Sequence, residues 1–195
     1  MSNATQMVVL EYHKIGSPLP GCNSICYTPE GAFAGHLRYL HEGGWRVVDL
    51  AEFLGSLDMP AMPSERLALL TFDDAYRSLR NIALPRLREF GYPGVVFVPT
   101  NLIGGSNDFD LGREPREEIC TWEDLHELQE CGVSVQSHGG SHRLFDDLSD
   151  SELSEPTEGR EPIFRGQRSC SEKLDTVQLS AMTAVASPPP LTVIY

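Results

Sequence analysis

Apolar runs alternate with amphipathic stretches over roughly the first three quarters of the chain. The runs that predict β-strands cover residues 7–12, 45–48, 67–72, 94–98 and 133–137. Apolar residues at helical spacing predict helices over about 30–42, 50–57, 79–90 and 121–131. Such strand–helix alternation indicates a parallel sheet with right-handed crossovers. Periodicity alone does not distinguish a closed barrel from an open sheet.

Residues typical of helix ends support two of these helices and complicate a third. Thr28 is the predicted N-cap of the first helix, with Pro29 at its first position and Glu30 in its first turn. Thr121 and Asp124 form a capping-box-like pair before the last helix. Pro85 would kink the helix predicted over 79–90 unless that helix begins late.

The pattern changes after Leu153. Pro156, Gly159 and Pro162 interrupt what begins as an amphipathic helix, and little periodicity follows. We therefore predict one domain over residues 7–153 and a poorly ordered tail over 154–195. Within that tail, the apolar residues 191–195 are either a terminal strand or an exposed apolar end.

Composition excludes several classes of protein. The chain has 195 residues, of which 41% are hydrophobic, as expected for a globular domain with a sizeable core. Its formal net charge of −13 argues against a nucleic-acid partner, because phosphate contacts require an excess of Lys and Arg. We expect no transmembrane segment, since no apolar run is long enough. The absence of a visible signal peptide predicts a cytoplasmic protein.

Two adjacent carboxylates, Asp73 and Asp74, end the apolar run 67–72. In α/β folds, catalytic groups gather at the carboxyl ends of parallel strands. Neighbouring carboxylates resist burial unless a metal or a shared proton offsets their charge. The alternative is an acidic helix cap, for which Asp is well suited.

Two histidines follow another predicted strand. His138 ends the run 133–137, and His142 lies four residues further on. Two imidazoles and one carboxylate provide three ligands and leave a position open for water, as in catalytic zinc sites. A histidine pair that matches a carboxylate pair at the end of a different strand therefore indicates a metal site.

The stretches TFDDAYRS and SHGGSH closely resemble the first two motifs of the polysaccharide deacetylases, the NodB-like domains of carbohydrate esterase family 4. The usual forms are TFDDG and H-(Ser/Thr)-x-x-His, so Ala75 stands where Gly is usual and Gly139 where Ser or Thr is usual. The resemblance implies that Asp73 is the catalytic base. It also implies a set of metal ligands: Asp74, His138 and His142.

The same resemblance extends to about Leu153 and includes the opening pair Tyr12-His13, typical of many members. His13 either lines the cleft or is a structural histidine with a hydrogen bond at the top of the barrel. The fold implied is a distorted (β/α) barrel with fewer than eight strands. Many relatives act outside the cell, which contrasts with the cytoplasmic prediction.

The implied activity is removal of acetyl groups from N-acetylated sugars of a polysaccharide or oligosaccharide. A divalent metal, zinc in particular, would activate the attacking water, and Asp73 would take up its proton.

Two later motifs of the family are missing. Relatives carry Arg-x-Pro-Tyr and a late Leu-x-His that supplies an acid for the leaving amine, whereas every histidine of this chain lies at or before His142. The barrel is therefore predicted to be incomplete at its carboxyl end, with weak activity and self-association through exposed strands. A truncated or frame-shifted deacetylase would explain the loss. An inactive glycan- or metal-binding relative and an O-acetyl esterase acting on xylan-like glycans are the alternatives.

Overall fold

A computed structural model of the chain describes residues 6–22, 26–57, 65–142 and 192–194. Its strands are β1 (Gln6–Tyr12), β2 (Lys14–Ile15), β3 (Tyr27–Thr28), β4 (Trp45–Val47), β5 (Arg66–Phe72), β6 (Gly94–Val98), β7 (Val133–Ser137) and β8 (Thr192–Ile194). Its α-helices are α1 (Glu30–Glu42), α2 (Leu50–Leu57), α3 (Leu84–Phe90) and α4 (Trp122–Glu130). A π-helical segment, Leu79–Ala83, precedes α3, and short 3-10 turns span Thr100–Leu102 and Asp108–Asp110.

The main sheet is parallel, as the alternation of strands and helices predicts. Its strands follow the order β7-β6-β5-β1-β8, and β4 pairs with the amino-terminal half of β5. In the register between β1 and β5, Tyr12 lies opposite Phe72, so the two strands end at the same level. The residues that follow β1 and β5 therefore emerge side by side at one edge of the sheet.

Strand β5 is buried on both faces, which explains its continuous apolar run. Leu70 and Phe72 pack in the cluster that contains apolar residues of α1, α3 and α4. Leu67 and Leu69 face the opposite cluster, which includes Phe53 of α2. Full burial of each large apolar side chain contributes about 1.5–3 kcal/mol. These two layers of packing fix the end of β5, and with it the two carboxylates that follow.

Of the two predicted helix N-caps, one is confirmed and one is wrong. The capping box of α4 is confirmed: the Asp124 amide donates to Thr121 Oγ1 at 3.2 Å, and the Thr121 amide donates to Asp124 Oδ2 at 2.9 Å. The prediction of Thr28 as the N-cap of α1 is wrong. Thr28 belongs to β3 and accepts the amide hydrogen of Gly16, and Pro29 occupies the N-cap without a side-chain hydrogen bond.

The predicted helix over 79–90 is divided in two. The π-helical segment ends at Ala83, which places Pro85 in the first turn of α3. A proline lacks the amide hydrogen that an interior position needs, whereas the first turn tolerates it. Gly91 ends α3 with a left-handed backbone at φ 66°.

The predicted domain boundary at residue 153 lies outside the described residues, as does most of the tail over 154–195. The described part of that tail is β8, which pairs in parallel with β1 and corresponds to the strand alternative for residues 191–195. Among the described residues, no helix combines the length and apolar character needed to span a bilayer.

Candidate active site

The carboxylates Asp73 and Asp74 lie where β5 ends, in a sharp turn. The amide of Asp73 donates to the carbonyl of Tyr12 at 2.8 Å and so continues the β1–β5 ladder. Asp74 and Ala75 then adopt left-handed backbone angles, with φ of 66° and 53°. Such angles are unfavourable for residues with a Cβ atom, which explains why glycine is usual at the position of Ala75. Both carboxylates are buried at this turn.

His138 and His142 approach the same turn from β7. The amide of His138 donates to the carbonyl of Val98 at 2.8 Å, so β6 fixes the point at which the chain leaves β7. His142 has a left-handed backbone with φ 56°. The centroids of the two imidazole rings lie 5.0 Å apart.

Both imidazoles point at one oxygen of Asp74. The Nε2 atoms of His142 and His138 lie 3.1 and 3.6 Å from Asp74 Oδ1. His138 Nε2 also lies 4.0 Å from Asp73 Oδ2. The three residues Asp74, His138 and His142 each offer a ligand atom, and these atoms lie within 4.8 Å of one another. The structure therefore brings together the carboxylates and histidines that the sequence singled out.

The environment of Asp74 indicates whether Asp74, His138 and His142 could bind a cation. Asp74 Oδ1 is buried, and none of the described residues donates a well-directed hydrogen bond to it, although His142 Nε2 lies 3.1 Å away. A buried carboxylate oxygen in that situation is costly, and a bound cation would remove that cost. Two imidazoles and a carboxylate are also the donors that zinc accepts in catalytic sites. The residues present thus fit a divalent cation.

The helix-cap alternative does not account for Asp73 and Asp74. The π-helical segment after the turn begins with Ser78 at its N-cap. Asp74 Oδ1 accepts no helical amide hydrogen among the described residues, whereas Thr121 accepts one at the start of α4.

Burial and neighbouring charges perturb the acid–base groups of this turn. Burial raises the pKa of Asp73 well above its ordinary value, and the Glu11 and Asp74 carboxylates raise it further. Burial lowers the pKa of His138, with Asp74 acting in the opposite direction. The Asp74 carboxylate raises the pKa of His142 against the effect of burial. His138 is thereby favoured in its neutral form, which is the form that binds metals.

A second group of side chains adjoins the first through Asp73. Glu11, His13 and Asp73 offer atoms that lie within 4.8 Å of one another, and His13 Nε2 is 3.9 Å from Glu11 Oε1. Glu11 and His13 come from the end of β1, the neighbour of β5. The sequence signal was the Tyr12-His13 pair at the end of a predicted strand, but the adjacency of β1 and β5 could not be read from it. Of the two alternatives for His13, its distance from Asp73 favours a position in the cleft.

Comparison with known proteins shows which family and fold this chain is similar to. The family described as Polysaccharide deacetylase matches residues 61–166. The proposed polysaccharide deacetylase YxkH of Bacillus subtilis (strain 168) is 28% identical over 144 residues, which cover 74% of this chain and 46% of YxkH. The chain thus spans about half the length of this curated relative.

Two solved structures share the fold. IcaB from Ammonifex degensii is 26% identical with a TM-score of 0.57, over 94% of this chain and 73% of IcaB. The Streptococcus pyogenes deacetylase PplD, solved in complex with acetate, is 22% identical with a TM-score of 0.60, over 74% of this chain and 61% of PplD. These likenesses confirm the predicted distorted (β/α) barrel. With more than half of its residues matched by the family, the chain belongs to the polysaccharide deacetylases.

Proposed function

We propose that this chain catalyses metal-dependent hydrolysis of the acetamide groups of N-acetylated sugars in a polysaccharide or oligosaccharide. The observation that carries the proposal is the buried Oδ1 of Asp74, on which two imidazole nitrogens converge beside a second carboxylate. Membership of the polysaccharide deacetylase family supports the choice of substrate class. The acetate bound to PplD is what the hydrolysis of an acetyl group releases.

Asp74, His138 and His142 would hold one divalent cation, most suitably zinc. When bound, such a cation supplies Lewis acidity: it lowers the pKa of water and polarises a carbonyl oxygen. The three residues would fix the position of the cation at the carboxyl ends of the strands. His138 is rigidly attached through the end of β7, whereas His142 is held by the short segment that follows.

Asp73 is the proposed general base. Its carboxylate adjoins the candidate ligands, with Oδ2 4.0 Å from His138 Nε2, and it is absent from the group of three atoms that converge on the cation position. Asp73 can therefore accept a proton from an attacking water while Asp74 remains a ligand.

His13 is the proposed donor of a proton to the leaving amine. An amine leaves a tetrahedral centre readily only when its nitrogen is protonated, so an acid must lie close to the reacting bond. His13 lies next to Asp73, where a proton donor could reach the leaving amine, and its Nε2 is 3.9 Å from Glu11 Oε1. The acid that relatives supply from a late Leu-x-His motif would in this chain come from the end of β1.

The test combines metal analysis of the purified protein with acetate release. We expect about one equivalent of bound zinc and acetate release from acetylated chito-oligosaccharides that stops when the metal is chelated. Acetylated xylan serves as the comparison substrate, because its acetyl groups are esters whose alcohol leaving groups depend less on an acid.

The outcomes separate the alternatives. Bound metal without acetate from either substrate would identify an inactive metal-binding relative. Release from xylan alone would identify an O-acetyl esterase. Acetate release that survives complete removal of the metal would refute the metal-dependent mechanism.

A further inference from the structure

The loop between β6 and α4 contacts the candidate metal site directly. Its 3-10 turn Asp108–Asp110 brings the ring of Phe109 against the imidazole of His142, with centroids 4.3 Å apart and planes inclined by 30°. Tyr76, two residues after Asp74, donates through its hydroxyl to Asp110 Oδ2 at 3.4 Å. The 3-10 turn Asp108–Asp110 thus contacts the site in two places, at His142 and at Tyr76, which follows Asp74.

Several side-chain and backbone hydrogen bonds hold this loop in place. Asn107 is buried, accepts the amide hydrogen of Glu117 at 2.7 Å, and donates to the carbonyl of Pro115 at 3.1 Å. Backbone hydrogen bonds run from Cys120 to Ala75 at 2.8 Å and from Arg77 to Glu118 at 2.9 Å. The loop is therefore a fixed wall that continues from the turn carrying Asp74.

A buried lysine ties the same loop to β2. Lys14 Nζ lies 3.0 Å from Glu117 Oε1 and 3.5 Å from Glu114 Oε2, and the lysine is 2% exposed. The rings of Tyr27 and Tyr76 each lie 4.8 Å from the ammonium group. An amine enclosed in this way has a defined position, and so do the two glutamates of the loop.

His142 depends on such a wall more than His138 does. His138 directly follows β7 and is held by Val98. His142 lies beyond the end of the strand, and 35% of its side chain is exposed. Among the described residues, the ring of Phe109 packs against this imidazole at 4.3 Å, closer than the ring of His138 at 5.0 Å.

From this arrangement we infer that Phe109 is a positioning residue for His142, which rests on the proposed metal site. Its ring limits the orientations of the imidazole to those that direct Nε2 at Asp74 Oδ1. Outer contacts that orient a metal-binding histidine typically change metal affinity on the order of 10–100-fold. Loss of the ring should therefore weaken metal binding even though Phe109 itself offers no ligand atom.

The experiment measures zinc affinity by competition with a chelator in the full chain and in four variants. Phe109→Ala and Phe109→Leu remove the ring, and Phe109→Trp retains one. Leu111→Ala is the matched control, because Leu111 belongs to the same loop and is 79% exposed. The visible absorption spectrum of the cobalt(II)-loaded protein reports the geometry of the ligands independently of affinity and of catalysis.

We expect zinc affinity to fall at least about tenfold in Phe109→Ala and Phe109→Leu, with an altered cobalt spectrum. Phe109→Trp should bind zinc with an affinity close to that of the parent chain, and Leu111→Ala should have the same zinc affinity as the parent chain. Parent-like affinity and spectrum in Phe109→Leu would overturn the inference, as would an equal loss in Leu111→Ala, which would indicate general loosening of the loop. Absence of zinc binding in the parent chain would overturn the proposed metal site as well, whereas parent binding unaffected by Phe109 would overturn this inference alone.

Discussion

The buried ion cluster of Lys14, Glu114 and Glu117 allows a sharp test of how this fold is stabilised. Lys14→Met keeps most of the apolar stem and removes the ammonium group. The glutamate side chains, 11% and 18% exposed, then lose their cation while remaining largely buried. Removing one partner of a buried ion pair typically costs about 3–5 kcal/mol. Loss of the contacts with two tyrosine rings lies in the same direction.

A matched control lies on the surface. Arg46 also pairs with two carboxylates, Glu52 and Glu65, but its side chain is 46% exposed. Exposed ion pairs contribute about 0–1 kcal/mol, because water and salt screen the charges. Arg46→Met and Lys14→Met each remove a cation that pairs with two carboxylates, so burial, together with the tyrosine contacts of Lys14, should separate their effects.

The assay is urea unfolding at constant salt. We expect Lys14→Met to lower the free energy of unfolding by about 3–5 kcal/mol, out of the roughly 5–15 kcal/mol typical of a domain. Arg46→Met should lower it by less than about 1 kcal/mol. A double variant, Lys14→Met with Glu117→Gln, should recover part of the loss because it removes an unpaired charge. Equal effects of the two single methionine substitutions would refute the role assigned to burial.

The pH dependence of this difference has a definite sign. Burial lowers the pKa of Lys14, but Glu117 and Glu114 raise it more, so it lies above the ordinary value of 10.5. A group whose pKa is raised on folding contributes stability that is fully present below its unfolded pKa and is lost as the pH rises through its folded pKa. The difference between parent and Lys14→Met should therefore be constant from about pH 6 to 9 and shrink only above pH 10.5.

Three further predictions concern the candidate active site. Asp73→Asn should retain zinc but release no acetate, while Asp74→Asn should weaken zinc binding first; the reverse order in a metal titration would exchange their roles. His13→Gln should slow acetamide hydrolysis by about 10²–10⁴-fold and spare an activated acetate ester, which needs no acid. Equal slowing of both substrates would remove its role as acid. Ala75→Gly should change the urea-derived stability by less than about 1 kcal/mol, because relief of the left-handed angle is offset by the flexibility of glycine and a lost buried methyl. A change of several kcal/mol would contradict this balance.

The sequence predicted the parts of the site whose position hardly depends on the order of the strands in the sheet. Asp73–Asp74 and His138–His142 each follow an apolar run, and the carboxyl ends of parallel strands meet at one edge of a sheet whatever their order. Their convergence was therefore predictable. The proximity of His13 to Asp73 was not, because it requires β1 to pair with β5 across more than fifty intervening residues.

Other features depend on contacts that local pattern does not encode. Lysine is seldom fully buried, so nothing about Lys14 indicated that it would lie between two tyrosines and two glutamates. The polar loop between β6 and α4 is held in place by that lysine and by Asn107, contacts that its own sequence pattern does not indicate. Thr28 failed as a cap because pairing with β2 placed it in a strand, where tertiary contact outweighed a local preference.

The places where this chain departs from local rules argue for a functional role of the β5 turn. At two helix ends away from the turn the rules are followed: Thr121 and Asp124 form a capping box, and a glycine takes the left-handed position after α3. At the turn, Asp74 and Ala75 have left-handed angles although neither is glycine, and such residues cost about 1–3 kcal/mol each. Asp74 also buries a carboxylate oxygen to which none of the described residues donates a well-directed hydrogen bond. A turn selected for stability alone would avoid the buried charge, since a neutral residue at the position of Asp74 would remove it. The coincidence of the left-handed angle and the buried charge at the residue that faces both imidazoles is the pattern expected of a binding site, where unfavourable local structure is retained for the ligand that it holds.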